Sequence, residues 1–122
     1  MELVVVIAIL GILAGLAIPR FMDATTNARG SRLVADLRTI ESAESMYQFA
    51  TMKELVDNGY LAVEPIPPIG AFKVAETNQA GEIKAAVTSY TVTPNNGVTP
   101  KTVTINAGTN IDLKTLMTRK NN

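Results

Sequence analysis

The stretch Leu3-Val-Val-Val-Ile-Ala-Ile-Leu-Gly-Ile-Leu-Ala-Gly-Leu-Ala-Ile18 decides how this chain folds, because none of its sixteen residues carries a polar side chain. As a helix it would be about 24 Å long, somewhat short of the ~30 Å hydrocarbon layer of a bilayer. A helix in the core of a soluble protein normally keeps one polar face. A signal peptide would begin with positive charge and end in a small-residue cleavage site, whereas Glu2 and Pro19-Arg20 flank this stretch. We therefore expect a helix that is apolar on all sides, in lipid or among copies of itself.

Glu2 is the one charged residue at the edge of this segment. Removing a carboxylate from water at this position without giving it a partner would raise the free energy by roughly several kcal/mol. It can lie among lipid headgroups and favour the positive end of the helix dipole. It can equally meet a dedicated cation, such as the backbone amine of another chain. Its position in the sequence leaves both alternatives open.

Gly11, Gly15 and Pro19 follow one another at intervals of four residues. The Gly-x-x-x-Gly spacing lets two helices approach closely in an apolar medium. Glycine and proline also weaken a helix, by about 1 and 3 kcal/mol respectively. The interval between Gly11 and Pro19 is the predicted place for a bend or for local melting.

The segment from Glu2 to Phe21 resembles, almost without gaps, the N-terminus of type IV pilins and of the related type II secretion pseudopilins. The resemblance implies a subunit held in the inner membrane, processed by a prepilin peptidase and packed by the assembly machinery into an extracellular helical filament of identical subunits. Glu2 would neutralise the N-terminal amine of a neighbour, and Gly11 and Pro19 would bracket a stretch that unwinds. Such proteins usually carry four residues before this acid. Only Met1 precedes Glu2 here, so we expect that the first residues of the mature chain are missing.

Residues 20–50 are predicted to continue the same helix with an amphipathic pattern. Leu33, Leu37, Ile40 and Tyr47 repeat at helical spacing and form an apolar stripe flanked by Val34 and Ala43. The predicted helix runs from the start of the chain to about Phe49, kinked at Pro19 and slackened at Gly30. Its second half should pack on a head domain.

Several charged residues on this second segment are candidate contacts between subunits: Arg20, Arg29, Arg32, Asp36 and Glu44. Arg32 and Asp36 have the i,i+4 spacing that contributes a few tenths of a kcal/mol, roughly, within one helix. Glu44 interrupts the apolar stripe. Either the core ends there, or a lysine of the head pairs with Glu44, or Glu44 makes a contact between subunits.

Residues 51–122 are predicted to form the head, with residues 51–70 as a connector. Thr51-Met-Lys-Glu54 has the pattern of a capping box, which predicts a short helix over 52–58 with Gly59 after its end. Strands are expected over 71–76, 82–93 and 101–106, with turns at 78–81 and 95–97. Asn110 or Asp112 can cap a last helical turn, although an edge strand is an equal alternative. Three or four antiparallel strands would then form one sheet against the long helix.

The predicted fold class is therefore α+β: residues 1–19 form an apolar membrane or filament-core helix, residues 20–50 its amphipathic continuation, and residues 51–122 a small antiparallel head. The chain has no Cys or His, which removes thiolate and imidazole metal sites and the usual nucleophile pairs. Eleven basic and eleven acidic residues give no excess of positive charge for nucleic acid. We expect no catalytic site, no cofactor and no metal.

The sequence thus favours a structural subunit of a type IV pilus. A major pseudopilin of a secretion system is the closest alternative, because the helix is similar in both groups. A membrane-tethered binding module is a third hypothesis, which the neutral charge and the six scattered Tyr and Phe rings support poorly.

Overall fold

The computed structural model describes residues 1–47, 50–94 and 102–120. In chain order the elements are α1 (Glu2–Met46), α2 (Met52–Asp57), β1 (Gly70–Val74), β2 (Gln79–Ile83), β3 (Thr91–Thr93), β4 (Thr102–Asn106), β5 (Asn110–Asp112) and α3 (Leu113–Met117). One long helix followed by small antiparallel sheets makes this an α+β protein, as predicted.

Helix α1 runs through 45 residues and includes Pro19. It ends at Met46, and Gln48 and Phe49, where the sequence placed its end, lie outside the described residues. A single helix of this length is far longer than those of ordinary globular domains. Its stability must come from what packs against it.

The second half of α1 supplies the spine of the core. Leu33, Leu37 and Ile40 are completely buried, which confirms the predicted stripe. Tyr47, at the end of that stripe, is instead 43% exposed and stacks on Tyr60 with ring centroids 5.9 Å apart. The stripe therefore ends about one turn earlier than its spacing suggested.

Gly30 sits where α1 meets β1. A Cβ built on it would collide with the carbonyl oxygen of Lys73, so only a glycine lets the strand backbone touch the helix here. The sequence pointed to Gly30 as a weak point of the helix. Its structural role is the close approach of two backbones.

The connector begins as predicted. The Thr51 side chain accepts from the backbone N–H of Glu54, and the Glu54 carboxylate accepts from the backbone N–H of Thr51 at 2.7 Å, a complete capping box. These hydrogen bonds lower the pKa of Glu54. Gly59 has φ of 78°, as its place after the helix requires.

The strands differ from the prediction in two respects. They form two sheets, β1-β2 and β3-β4-β5, rather than one. The predicted strand over 82–93 is wrong, because β2 ends at Ile83 and the chain turns at 85–86 before β3 begins. The β1–β2 turn lies at 75–78 rather than 78–81, with Asn78 at φ of 56°. The turn predicted at 95–97 lies outside the described residues, although β3 and β4 on either side are antiparallel.

Near residue 112 both alternatives occur together. Asn110–Asp112 is an edge strand on β4, and Asp112 then caps α3 by accepting from the backbone N–H of Thr115 at 2.8 Å. That hydrogen bonding lowers the pKa of Asp112.

The segment after α3 is fastened to the turn between β1 and β2. The Lys120 backbone N–H donates to the Thr77 carbonyl at 3.0 Å, and the Gln79 side-chain amide donates to the Thr118 carbonyl at 2.7 Å. The buried Thr77 hydroxyl donates to the Leu116 carbonyl. We call these three hydrogen bonds the C-terminal latch.

Candidate interaction surface on the N-terminal helix

The most unusual surface of the molecule is the first half of α1. Thirteen large apolar side chains between Leu3 and Met22 are more than half exposed. An 18-residue window of this helix has a mean hydropathy of 2.5 with none of its residues buried. By length and composition the helix can cross a membrane. We call residues 3–22 the apolar rod.

Gly11 and Gly15 form an open strip on the apolar rod. A Cβ built on either would meet no atom within 4 Å. Neither glycine therefore serves packing within the chain, in contrast to Gly30. Their spacing is suited to close contact with another helix.

Pro19 lies inside α1. Because proline has no backbone N–H, the carbonyl of Gly15 loses its i+4 donor. Local melting between Gly11 and Pro19, one of the two predicted alternatives, does not occur in this structure, because the interval is helical throughout.

Arg20 stands at the far end of the rod. Together with Leu13, Leu16 and Ala17 it lines an open depression of about 400 Å³. An apolar side chain with a polar tip would fit such a surface. Glu2, at the opposite end, is exposed in the first turn of α1. Within the described residues Glu2 and Arg20 have no ion-pair partner.

The other charged residues singled out from the sequence contact the head of their own chain. The Arg29 guanidinium donates to the Ala71 carbonyl at 3.2 Å, and that of Arg32 donates to the Ile66 carbonyl at 3.1 Å. Arg32 also lies 3.8 Å from Asp36 in an exposed ion pair. These contacts hold the connector and β1 against the helix.

Asp36 has a second partner that the sequence did not indicate. The Tyr90 hydroxyl donates to its carboxylate at 2.7 Å, with the Tyr90 side chain almost fully buried. Burial raises the pKa of Tyr90, and the hydrogen bond to Asp36 raises it further. Tyr90 lies inside the strand predicted over 82–93, and the sequence gave no signal for this contact, because it joins residues 54 positions apart.

Glu44 is only 1% exposed. Ala43 beside it is buried too, so the core continues through this turn of α1 and does not end before it. Glu44 lines an open pocket of about 500 Å³ between α1 and β4, with Arg38, Glu41 and Thr102 among its other walls. Its burial leaves little of the carboxylate for a neighbouring subunit.

The described residues contain no group of three acidic, histidine or cysteine side chains that could hold a metal ion. The loop over 106–112, which is rich in side-chain oxygens, is a turn into β5 in which the Asn106 side chain accepts from the backbone N–H of Gly108. Its single carboxylate, Asp112, caps α3.

A family model described as triosephosphate isomerase matches residues 32–119. Its length, about seven-tenths of the chain, would by itself place the protein in that family. The match contradicts the resemblance to pilins and the expectation that the chain is not an enzyme. No solved structure gives a significant match.

The fold of the matched residues disagrees with this family match. A triosephosphate isomerase barrel closes eight parallel strands, each followed by a helix, over about 250 residues. Here every described strand pairing is antiparallel, the described strands form two separate small sheets, and the match begins inside the long helix α1. The matched residues 32–119 are far too few to form such a barrel.

The chemistry of the matched residues disagrees with it as well. The isomerase reaction uses a carboxylate base together with a neutral imidazole that polarises the substrate carbonyl. This chain has no histidine at all. Two of its carboxylates serve as helix caps, and a third accepts from Tyr90. Architecture and composition outweigh the family match, so we assign to this α+β chain with its exposed apolar rod neither the fold nor the activity of triosephosphate isomerase.

Proposed function

We propose that this chain is a membrane-anchored structural subunit that polymerises with copies of itself through the apolar rod, in the manner of the pilin-like proteins its N-terminus resembles. One observation carries the proposal: the rod is apolar on all sides and nothing in the described part of the chain covers it. The proposal sets the physical evidence above the triosephosphate isomerase match.

The size of the exposed surface rules out a monomer in water. Burying one large apolar side chain fully contributes about 1.5–3 kcal/mol, and thirteen are more than half exposed. The total is of the same order as the whole stability of a small domain, about 5–15 kcal/mol. Lipid or other copies of the chain must therefore cover the rod.

The open glycine strip favours other copies as the final cover. Lipid and neighbouring helices are equally apolar, so association must gain from close packing rather than from the hydrophobic effect. Gly11 and Gly15 allow that approach, since no atom of their own chain fills the space beside them. Contacts between different faces of identical rods do not close on themselves and give an open helical polymer.

Glu2 would set the register of neighbouring rods. An unpaired carboxylate inside an apolar bundle is strongly unfavourable, so the bundle is stable where Glu2 meets a cation of the next copy. An N-terminal amine is the simplest partner of that kind.

Electron microscopy of the assembled protein tests this proposal. Glu2→Ala should abolish or greatly shorten the polymers while the chain still partitions into membranes. Asp23→Ala is the matched control, because it removes an exposed acid from the same helix just beyond the rod. Polymers of normal length and yield from the Glu2 variant would refute the role of that carboxylate. A wild-type chain that stays monomeric in detergent-free buffer would refute the proposal as a whole.

A direct assay decides between this proposal and the family match. Purified chain should not interconvert triose phosphates above the uncatalysed rate, because the imidazole of that reaction has no counterpart in the sequence. Turnover that follows the protein through purification from a host lacking its own isomerase would overturn our assignment.

A further inference from the structure

The edge of the head nearest the apolar rod carries a second apolar surface. Val63, Ile66 and Ile69 of the connector are 71%, 66% and 53% exposed. Pro67, between them, is buried, so this loop is braced against the head while its isoleucines point outward. We call Ile66 and Ile69 the connector tip.

Strand β1 fixes where along α1 this tip lies. Its fourth residue, Lys73, touches Gly30, and the residues just after it, Val74 to Glu76, face α1 at Ser31, Val34 and Arg38. Strand β1 therefore runs along α1 toward the C-terminal end of the helix. Its first residue, Gly70, is the end nearest the rod, and Ile69 precedes it.

Contacts with Arg29 and Arg32 place the connector tip still closer to the apolar rod. Gly70 lies against the guanidinium of Arg29, and the Ile66 carbonyl accepts from Arg32. Side chains on a helix lean toward its N-terminus, so these guanidinium groups lie nearer to the rod than their own Cα atoms do. The connector tip is thus level with the turn that precedes Arg29.

The distance from that turn to the lipid is short. Leu3 to Met22 spans about 30 Å, the hydrocarbon thickness, which puts Met22 at its boundary. Arg29 is about 10 Å further along the helix, and the headgroup layer is itself about 5–8 Å deep. A modest tilt of α1 toward the head brings the tip into that layer.

Charged residues of both signs lie on the same edge. Lys84 is exposed directly after Ile83, the residue that pairs with Gly70, and the Arg29 guanidinium lies against Gly70 itself. Glu64 in the connector and Glu82 in β2 are exposed acids on this edge, so the apolar side chains and their position, rather than an excess of positive charge, favour a lipid interface. Apolar side chains flanked by charged ones are typical of protein surfaces that rest on lipid interfaces.

We infer that in the unassembled subunit the connector tip lies in the membrane interface, so that the head rests on the bilayer surface instead of standing clear of it. This inference depends on the proposed membrane anchoring. It adds a second contact with lipid, which the subunit must give up before it can join a polymer.

Tryptophan quenching tests this inference, because the chain contains no tryptophan of its own. Single variants Ile69→Trp, Met46→Trp and Leu13→Trp of the full chain would be reconstituted at low density in anionic vesicles whose acyl chains are brominated both near the headgroup and near the chain end. Met46 is the matched control, since it is an exposed apolar residue on the same helix, 72% exposed and about 25 Å beyond Arg29. Leu13 reports insertion of the rod.

We expect strong quenching at Leu13 and only background quenching at Met46. Quenching at Ile69 should be about twofold or more above that background, because a side chain in the headgroup layer, which is only about 5–8 Å deep, lies close to the shallow bromines. Quenching at Leu13 with none at Ile69 would overturn the inference and leave the anchoring intact. No quenching at Leu13 would overturn both. A shielded, unquenched tryptophan at Ile69 would assign the tip to a second copy of the chain and would also overturn the inference.

Discussion

Helix α1 is one continuous element with two halves that obey different rules. From Gly30 to Glu44 it buries a stripe against the head, with Leu33 and Leu37 completely covered. From Leu3 to Met22 its large apolar residues are all exposed. An amphipathic pattern is needed only where one side of a helix meets water. The half without such a pattern is the half whose surroundings lie outside the chain.

The two halves also use glycine in opposite ways. Gly30 is required by a backbone that belongs to the same chain, whereas nothing in the chain approaches Gly15. Matched substitutions in the two halves therefore separate what stabilises the subunit from what joins it to its surroundings. Each can be followed by urea unfolding of the head in detergent micelles, with circular dichroism as the signal.

The largest contrast is expected between two leucines. Leu37→Ala removes a completely buried side chain and should lower the free energy of unfolding of the head by about 2–5 kcal/mol. Leu13→Ala, in the apolar rod, should leave head unfolding unchanged within about 0.5 kcal/mol. Equal losses from the two variants would mean that the rod folds back on the head, contrary to the comparison.

A smaller contrast is expected between two glycines. Gly30→Ala must push β1 away from the helix and should cost about 1–3 kcal/mol of head stability. Gly15→Ala meets no atom of the chain, so it should strengthen the helix by up to about 1 kcal/mol and weaken its association with copies. A Gly30 variant as stable as the wild type would show that the approach of β1 is not tight.

Tyr90→Phe should lower head stability by about 1–3 kcal/mol near neutral pH, because it leaves the Asp36 carboxylate without the hydroxyl that donates to it. Burial raises the pKa of Tyr90 above its unfolded value, so the folded state resists loss of the proton. The hydroxyl's contribution is thus fully present below about pH 10 and declines as pH rises beyond that value.

The variant should accordingly lose less stability than the wild type between neutral and strongly alkaline pH. Tyr60→Phe serves as the control, because Tyr60 is partly exposed and leaves the Tyr90–Asp36 contact in place. An unaltered alkaline slope in the Tyr90 variant would contradict this assignment.

The smallest effect is expected at the cap of α3. Asp112→Ala should cost about 0.5–2 kcal/mol, whereas Asp112→Asn should retain most of the cap. Hydrogen bonding lowers the pKa of Asp112, so its charge-dependent contribution is present above the unfolded pKa of about 4 and is lost as pH falls below it. Solvent exposure keeps this acid dependence small. A wild-type and an Asn variant with the same acid profile would contradict it.

Local patterns predicted the helices better than the strands. The stripe from Leu33 to Ile40 and the capping box at Thr51 depend on neighbours within a few residues, and both were predicted correctly. The alternation over 82–93 suggested a long strand, yet the chain breaks after Ile83. That break depends on where β1 ends and on the second sheet, which are contacts far apart in the sequence.

The candidate site was predictable for a similar reason. Local composition alone identifies the apolar rod and the glycines along it, because neither depends on a tertiary contact. The sequence could not show which charged residues of α1 form hydrogen bonds with the head. Arg29, Arg32 and Asp36 bond to groups 34 to 54 positions away.

The C-terminal latch has a consequence for biosynthesis. The hydrogen bonds at Thr77 and Gln79 need residues 116–120, which leave the ribosome long after the apolar rod. At about 5–20 residues per second, roughly 5–20 s separate the emergence of Met22 from that of the residues that complete the head. During that interval the rod is already exposed while the head cannot yet close. For the proposed membrane-anchored subunit, we therefore expect delivery of the nascent chain to lipid to begin before folding of the head ends.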